Sequence, residues 1–353
     1  MFKHFGGSFI FTGAALAAGA TYGYLSGGGV PAALNVLWIC LVLGILEVSL
    51  SFDNAVVNAT TLKDMDPVWQ RRFLTWGILI AVFGMRVVFP ILIVAIAGSL
   101  EPIDAIRLSF GNPQEYERIV SGAHHAISGF GGAFLFLVGL KFFIDEEKEH
   151  HWFPWIEKRL AKFADLEALE IFFVLLLAYG VSKMLPADEG YSFFIAAVFG
   201  VFSFFAVDWI GNAIGADEDD TNAAKRTGLG AFLYLEVLDA SFSFDGVIGA
   251  FALSNNLIII ALGLGIGAMF VRSMTVYLVR QGTLSEFRYL EHGAFWAILA
   301  LASIMFASTL VEIPEAVTGL IGASFIGWAL WSSIRHNRAN AESRNPEIDS
   351  AAA

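Results

Sequence analysis

Leu46-Glu47-Val48-Ser49-Leu50-Ser51-Phe52-Asp53-Asn54 lies inside an apolar run from Ala33 to Thr60. Leu238-Asp239-Ala240-Ser241-Phe242-Ser243-Phe244-Asp245-Gly246 lies inside a second run, from Gly228 to Leu253. Both read Leu, acid, any residue, Ser, any residue, Ser, Phe, Asp. The runs that follow them also correspond, because Gly77 to Arg86 and Gly263 to Arg272 each place an arginine nine residues after a glycine. About 20 predominantly apolar residues suffice to cross the hydrocarbon core as a helix. The carboxylates are therefore written into membrane spans, and written twice.

Working outward with that length gives ten runs: Ser8 to Leu25, Ala33 to Thr60, Phe73 to Ser99, Ala126 to Ile144, Leu166 to Ser182, Tyr191 to Asn212, Gly228 to Leu253, Leu257 to Val279, Gly293 to Leu310 and Glu315 to Ile334. Each is expected to be helical, since an isolated span must satisfy its own backbone in lipid. The fold class is thus all-α, a polytopic membrane protein of about ten helices. Matched runs are five spans apart, an odd number, so they cross in opposite directions. That is the mark of two inverted repeats, with a binding site near the midplane where they meet. The chain reads as one integral membrane domain, residues 1–353, with repeat halves 1–185 and 186–335 and a disordered cytoplasmic tail at 336–353.

Basic residues stay with cytoplasmic loops. With the amino terminus inside, that side receives Lys3, Lys63, Arg71, Arg72, Lys148, Lys158, Arg159, Lys162, Lys225, Arg226, Arg280, Arg288, Arg335, Arg338 and Arg344, and the outside only Arg107, Arg118 and Lys183. Both termini are expected to be cytoplasmic. The first span, with Lys3 before it and Ala18-Gly19-Ala20 within it, also has the outline of a secretory signal. The repeat symmetry favours its retention, and a retained span is the expectation.

Composition removes other classes. Of 353 residues 57% are hydrophobic and 15% charged, against about a quarter charged in a soluble domain. With a mean hydropathy of +0.67, a soluble enzyme is excluded. Cys40 is the single cysteine, which rules out an intramolecular disulfide and a thiolate-built metal site. The formal net charge of −12 is wrong for a nucleic-acid partner.

An ionised group at mid-membrane costs roughly 2.5–3.5 kcal/mol on insertion scales. Glu47, Asp53, Asp208, Glu236, Asp239, Asp245, Arg86 and Arg272 all stand in or near such positions. Two arginines cannot neutralise six acids, so some carboxylates must be protonated, solvated or bound to a cation; an ion-pair network gluing helices together is the plainer alternative. At about 100° per residue Glu47, Ser51, Asn54 and Asn58 form one oxygen-lined stripe, and Glu236, Asp239 and Ser243 form another. Asp53 and Asp245 lie about 120° from the acids six residues before them. Each helix is therefore either broken at its Ser-Phe-Asp or buried on two sides.

Carboxylate, hydroxyl and amide ligands select a hard divalent cation, Mn²⁺, Ca²⁺ or Mg²⁺. His125 and His292 precede spans and are peripheral candidates. Gly263 to Gly267, Gly-Leu-Gly-Ile-Gly, lies inside a span, where small residues serve close helix packing. The paired aspartates lack the Gly-any-Gly-Asp context of an aspartyl protease, and no enzyme activity is expected. The acidic run Asp145 to Glu149 with His150 and His151 could gather cations but reads as a solvated loop, and Asp217 to Asp220 is a segment through which a scaffold would recruit partners.

At Glu47 with Ser51, Asp53 and Asn54, and at Asp239 with Phe242, Ser243 and Asp245, the chain resembles the TerC-type (tellurium-resistance protein C) integral membrane family. It is most similar to the bacterial branch called domain of unknown function 475, a likeness that extends to Phe73-Leu74-Thr75-Trp76-Gly77 and Tyr289-Leu290-Glu291-His292-Gly293. The resemblance implies a multi-pass protein of the bacterial cytoplasmic membrane whose acids line a metal path. Gly246 departs from the hydroxyl residue usual in the broader family. The expectation is a secondary transporter exporting a divalent cation, Mn²⁺ foremost, with no tightly bound cofactor and with protons as coupling ion. Glu47, Asp53, Asp239 and Asp245 would hold the metal, Ser51, Asn54, Asn58 and Ser243 would support it, and Glu236, Asp208, Arg86 and Arg272 would shape the path and balance charge. The alternative is a non-transporting scaffold for envelope stress or for assembly of metal-loaded exported proteins, acting through its cytoplasmic loops.

Overall fold

The structure is a computed structural model that describes residues 2–77, 79–144, 150–161, 169–214, 228–282 and 286–351. Among the described residues the regular elements are all helical. The acidic loop segments Asp145 to Glu149 and Asp217 to Asp220, with Lys162, Lys225 and Arg226, lie outside the described residues.

Helices α1 (Phe2–Gly23) and α2 (Gly29–Leu50) form an antiparallel hairpin. The chain reverses at Gly27 and Gly29, with φ of 97° and 59°, a region that glycine enters at no steric cost. Gly19 and Gly23 then lie against Val36 and Ala32 of the returning helix. Helix α3 (Phe52–Lys63) continues α2 beyond an interruption at Ser51. Helix α4 (Pro67–Arg72) runs into two π-helical stretches, Phe73–Gly77 and Ile80–Val88, and then into α5 (Phe89–Ala97). The stretch from Pro67 to Ala97 is bent by 46°. Two short helices follow, α6 (Pro102–Gly111) and α7 (Pro113–Gly122), each opened by a proline whose missing N–H costs nothing in the first turn. The remainder comprises α8 (His124–Ile144), α9 (Pro154–Ala161), α10 (Leu169–Ser182), α11 (Ala187–Ile214), α12 (Gly228–Phe251), α13 (Leu257–Gln281), α14 (Leu290–Ser308) and α15 (Glu315–Ala351). The last helix continues past Ile334 to Ala351, through the stretch read from the sequence as a disordered tail.

Six helical stretches among the described residues are long and apolar enough to cross a membrane, or seven if the bent Pro67–Ala97 segment is one span. The first of them, His4–Leu50, is the α1–α2 hairpin. Helix α12 has a span's length but carries Glu236, Asp239 and Asp245, and α10 has only 14 residues. Trp38, Ile96, Phe202, Trp209 and Leu320 face outward from their helices. An apolar exterior of this kind is what a water-soluble monomer avoids, and the chain is a multi-pass membrane protein.

Helix α13 packs on α1, α2, α3 and the Ile80–Val88 stretch, while α8 packs on α11, α12 and α14. Gly129 of α8 lies under the Phe193 carbonyl and Gly200 of α11 under the Phe130 carbonyl, with no room for a Cβ at either. Small residues let helices approach this closely in lipid.

Contacts between helix ends define two faces. On one, Lys63 pairs with Glu291 at 3.0 Å, Gly228 abuts Trp69, and the Tyr289 N–H donates to Ser333 at 2.9 Å. On the other, Asn256 donates to the Tyr22 hydroxyl and Asn255 to Glu117, each at 2.6 Å, and His124 meets Ser308. The first face carries Arg71, Arg72, Lys158, Arg159, Arg280, Arg288 and Arg335, and is called the basic face below; Arg107, Arg118 and Lys183 belong to the second.

Candidate functional site

The interruption at Ser51 ends α2 just after Glu47 and puts Asp53 in the first turn of α3. Glu47 is brought deep into the bundle by glycine: its Cβ and Cγ lie over Gly267 of α13, where any Cβ would overlap them. Arg86, from the Ile80–Val88 stretch, donates to Glu47 Oε1 and places Nη1 3.7 Å from Asp239 Oδ2 on α12. Ser51 Oγ donates to Glu47 Oε1 at 3.2 Å, and Asn54 Nδ2 donates to Asp239 Oδ1 at 2.7 Å. Glu47 and Arg86 are each 2% exposed. One guanidinium thus joins α2, α12 and the π-helical stretch in a single buried knot. Wide π turns recur at functional sites, and here one carries the arginine.

A cavity lies on each side of the knot. The first, of about 480 Å³ including the space at its mouth, is lined by Asn58, Gly77, Arg86, Glu236, Asp239 and Arg272 among others, and lies toward the basic face. Glu236 stands one turn before Asp239 on α12, and neither its Oε1 nor Asn58 Oδ1 has a hydrogen-bond partner. Arg272 donates to the backbone carbonyl of Leu74. The second cavity, of about 460 Å³, is lined by Glu47, Ser51, Asp53, Phe242, Gly246 and Thr318 among others, on the side where α12 ends and α15 begins. Asp53 Oδ1 accepts the Asn54 backbone N–H at 2.9 Å, at the end of α3 where the helix dipole favours an anion. Its other oxygen faces Gly322 of α15, and Glu47 Oε2 faces Gly246, each at 2.9 Å from where a Cβ would stand. The first cavity pairs two carboxylates with two guanidiniums. Among the described residues the second is lined by two carboxylates and no basic side chain.

The structure brings Glu47, Ser51, Asn54, Asp239 and Arg86 together. Asp53 joins Glu47 in the second cavity, and Asn58, Glu236 and Arg272 join Asp239 in the first. Ser243 is buried on α12, its Oγ without a hydrogen-bond partner. The side chains of Asp208 and Asp245 lie outside the described residues. His125 lies 3.6 Å from Glu189 on the second face, and His292 contacts the His150 carbonyl and Glu157 on the basic face, both at the ends of the bundle. Among the described residues no three of His, Cys, Asp and Glu are grouped to hold a metal ion.

Sequence reading missed Thr318 and Gly322, and it took Gly77 as a repeat marker and Gly267 as a packing residue without placing either against a carboxylate. A signal existed for α15: Gly319 and Gly322, three residues apart, both turn toward α2 and α3, onto Leu50 and Asp53. It also missed Glu157, wholly buried on α9, which accepts the backbone N–H groups of Trp152 and Phe153 at 3.1 Å and the Trp296 indole N–H at 3.3 Å.

No curated protein and no solved structure matches the chain. The profile of a family described as protein of unknown function (DUF475) matches residues 52–340, from the start of α3 into α15. With that match over most of its length, the chain belongs to the DUF475 family.

Proposed function

We propose that the chain is a secondary transporter that exports a hard divalent cation, Mn²⁺ foremost, across the bacterial cytoplasmic membrane. The observation that carries this reading is the pair of cavities lying on opposite sides of one buried ion-pair knot. A path that alternates its access needs a site reached from both sides and closed between them. Arg86 supplies the closure and stands in for the cation, balancing Glu47 and Asp239 while the site is empty. A cation arriving at Glu47 and Asp53 meets carboxylate oxygens with the hydroxyls of Ser51 and Thr318 nearby, a donor set for a hard ion. At Glu47 Oε2, which faces the second cavity, it competes with the Arg86 guanidinium on Oε1 for the same negative charge, and Arg86 yielding Glu47 frees the π-helical stretch from α2.

The repeat supports the same reading. Glu47 and Asp239 are counterparts in the duplicated motif, and they meet at one arginine, as inverted repeats meet at a shared site. Helix α12 packs on α8 as α3 packs on α14. The likeness to TerC-type proteins points to manganese, and the segregation of Lys and Arg makes the basic face cytoplasmic. The test is Mn²⁺ flux in proteoliposomes, with Ca²⁺ and Mg²⁺ as competitors. Flux by the parent protein that is lost in folded Glu47→Gln and Asp53→Asn variants is expected. If the parent moves none of the three ions under a pH gradient of either sign, the transport reading falls and the scaffold reading takes its place.

A further inference from the structure

Glu236 is a buried carboxyl that the cation site leaves unused. It is 8% exposed, its Oε1 has no hydrogen-bond partner, and the first cavity gives it room. Gly77 passes so close that a Cβ there would stand 3.1 Å from Oε1. Among the described residues the charged groups lining its cavity are Arg86, Arg272 and Asp239, of which Arg272 Nε and Asp239 Oδ2 lack a hydrogen-bond partner. Arg86 of the π-helical stretch is held by Glu47 and Asp239, Arg272 of α13 by the Leu74 carbonyl, and Asp239 on its own helix by Asn54 and Arg86. From α3 comes the uncharged Asn58, from the first π-helical stretch come Phe73 and Leu74, and Lys141 of α8 lies over the Phe204 ring. A buried carboxyl without a donor is cheapest as the neutral acid.

We propose that Glu236 carries the coupling proton, on a carboxyl distinct from those that take the cation. The proposal rests on the transport reading above and deepens it. At rest Arg86 bridges Glu47 and Asp239, and Glu236 is protonated. A divalent cation binding Glu47 and Asp53 displaces the guanidinium from Glu47. Arg86 keeps Asp239 and turns to Glu236, which lies one turn away on α12 and shares the cavity with it. The O–H bond of Glu236 breaks, its proton passes to water in the first cavity and leaves by the basic face, and the carboxylate left behind pairs with Arg86. One cation enters as one proton leaves, so the site gains one positive charge; no other bond changes. Release of the cation to the opposite face returns Arg86 to Glu47, and Glu236 takes up a proton from water on that same opposite face, so that one proton crosses inward for each cation that crosses outward. Cation and proton use separate carboxyls but compete through one arginine, which ties the two fluxes together.

The test is Mn²⁺ binding to the purified full chain in detergent, followed with a pH-sensitive dye in weak buffer and repeated across pH. The parent protein is expected to release one proton more per Mn²⁺ than Glu236→Gln. Its Mn²⁺ affinity should rise more steeply with pH, by about tenfold per unit for the one added proton. Equal proton release by the two proteins overturns the assignment. So does loss of Mn²⁺ binding in a Glu236→Gln protein that unfolds like the parent, since Glu236 would then be a ligand of the cation. Should Glu236→Gln fail to fold, Glu236→Asp decides: it must keep the extra proton, and an aspartate variant that binds Mn²⁺ without releasing that proton refutes the proposal. A parent protein that binds none of Mn²⁺, Ca²⁺ and Mg²⁺ refutes the transport reading itself, and the proposal with it.

Discussion

Replacing Arg86 by glutamine removes the cation that, among the described residues, Glu47 and Asp239 share. The guanidinium is 3% exposed and Glu47 2%, so water cannot compensate for its loss. At the 3.7 Å separating Nη1 from Asp239 Oδ2, Coulomb's law with an effective dielectric constant of about 20 gives about 4–5 kcal/mol. Removing one partner of a buried pair costs about 3–5 kcal/mol for the same reason, an uncompensated charge left inside. Arg86→Gln should therefore lower the unfolding free energy, measured by denaturant titration in mixed micelles, by about 3–5 kcal/mol. Glu47→Gln alone should cost less, because Arg86 retains Asp239. The double variant should be more stable than the sum of the single losses, with a coupling above about 1 kcal/mol. Additivity within about 0.5 kcal/mol would refute the knot as an energetic unit.

Gly267→Ala should cost about 1–3 kcal/mol, since its Cβ overlaps the Glu47 stem, whereas Gly265→Ala, whose Cβ meets Phe11 and Val82 at ordinary 3.4 Å contacts, should be nearly neutral; equal melting temperatures for the two would remove the glycine argument. Glu157→Ala strands the N–H groups of Trp152, Phe153 and Trp296, each at about 1–3 kcal/mol if it stays dry, and faster proteolysis around α9 is the readout. On a Cys40→Ala background, cysteines at Asp64 and Arg335 should react with an impermeant thiol reagent from one side of the membrane and those at Arg107 and Lys183 from the other; labelling of Asp64 and Lys183 from the same side would disprove the two-face assignment. The Arg118 guanidinium holds the exposed Glu115 carboxyl below the usual carboxylate range. Their pair should persist above the ordinary carboxylate pKa and be lost only as pH falls through the lowered one; a Glu115 titration unchanged in Arg118→Gln would contradict it.

The duplicated motif was legible because period and polarity carried it. Glu47, Ser51 and Asn54, spaced for one helix face, do meet in the knot, while the interruption at Ser51 lets Asp53 share the second cavity with Glu47 and Ser51 despite the roughly 120° offset of an unbroken helix. What the pattern could not settle was tertiary. The two copies are nearly alike, yet the first helix is interrupted at Ser51 while α12 runs unbroken from Gly228 to Phe251. Arg86 and Arg272 share their spacing from a glycine, yet among the described residues Arg86 pairs with carboxylates while Arg272 donates to the Leu74 carbonyl offered by the π turns at Phe73–Gly77. Thr318 and Gly322 belong to the site through the packing of α15 on α2 and α3, which no periodicity within α15 encodes. Glu157 gave no signal at all, being one acid in a polar segment whose partners are mostly backbone.

The stretch Ile80–Val88 has a mechanical consequence. A π-helical segment stores a surplus residue relative to α-helix, and passing that residue along the axis turns the side chains it leaves by about 100° and advances them by about 1.5 Å. Arg86 sits inside this segment, between α2 and α12. The helix thus holds, in its own winding, slack of one residue, enough to swing a guanidinium from one neighbour to another while the helix ends stay anchored in the bilayer.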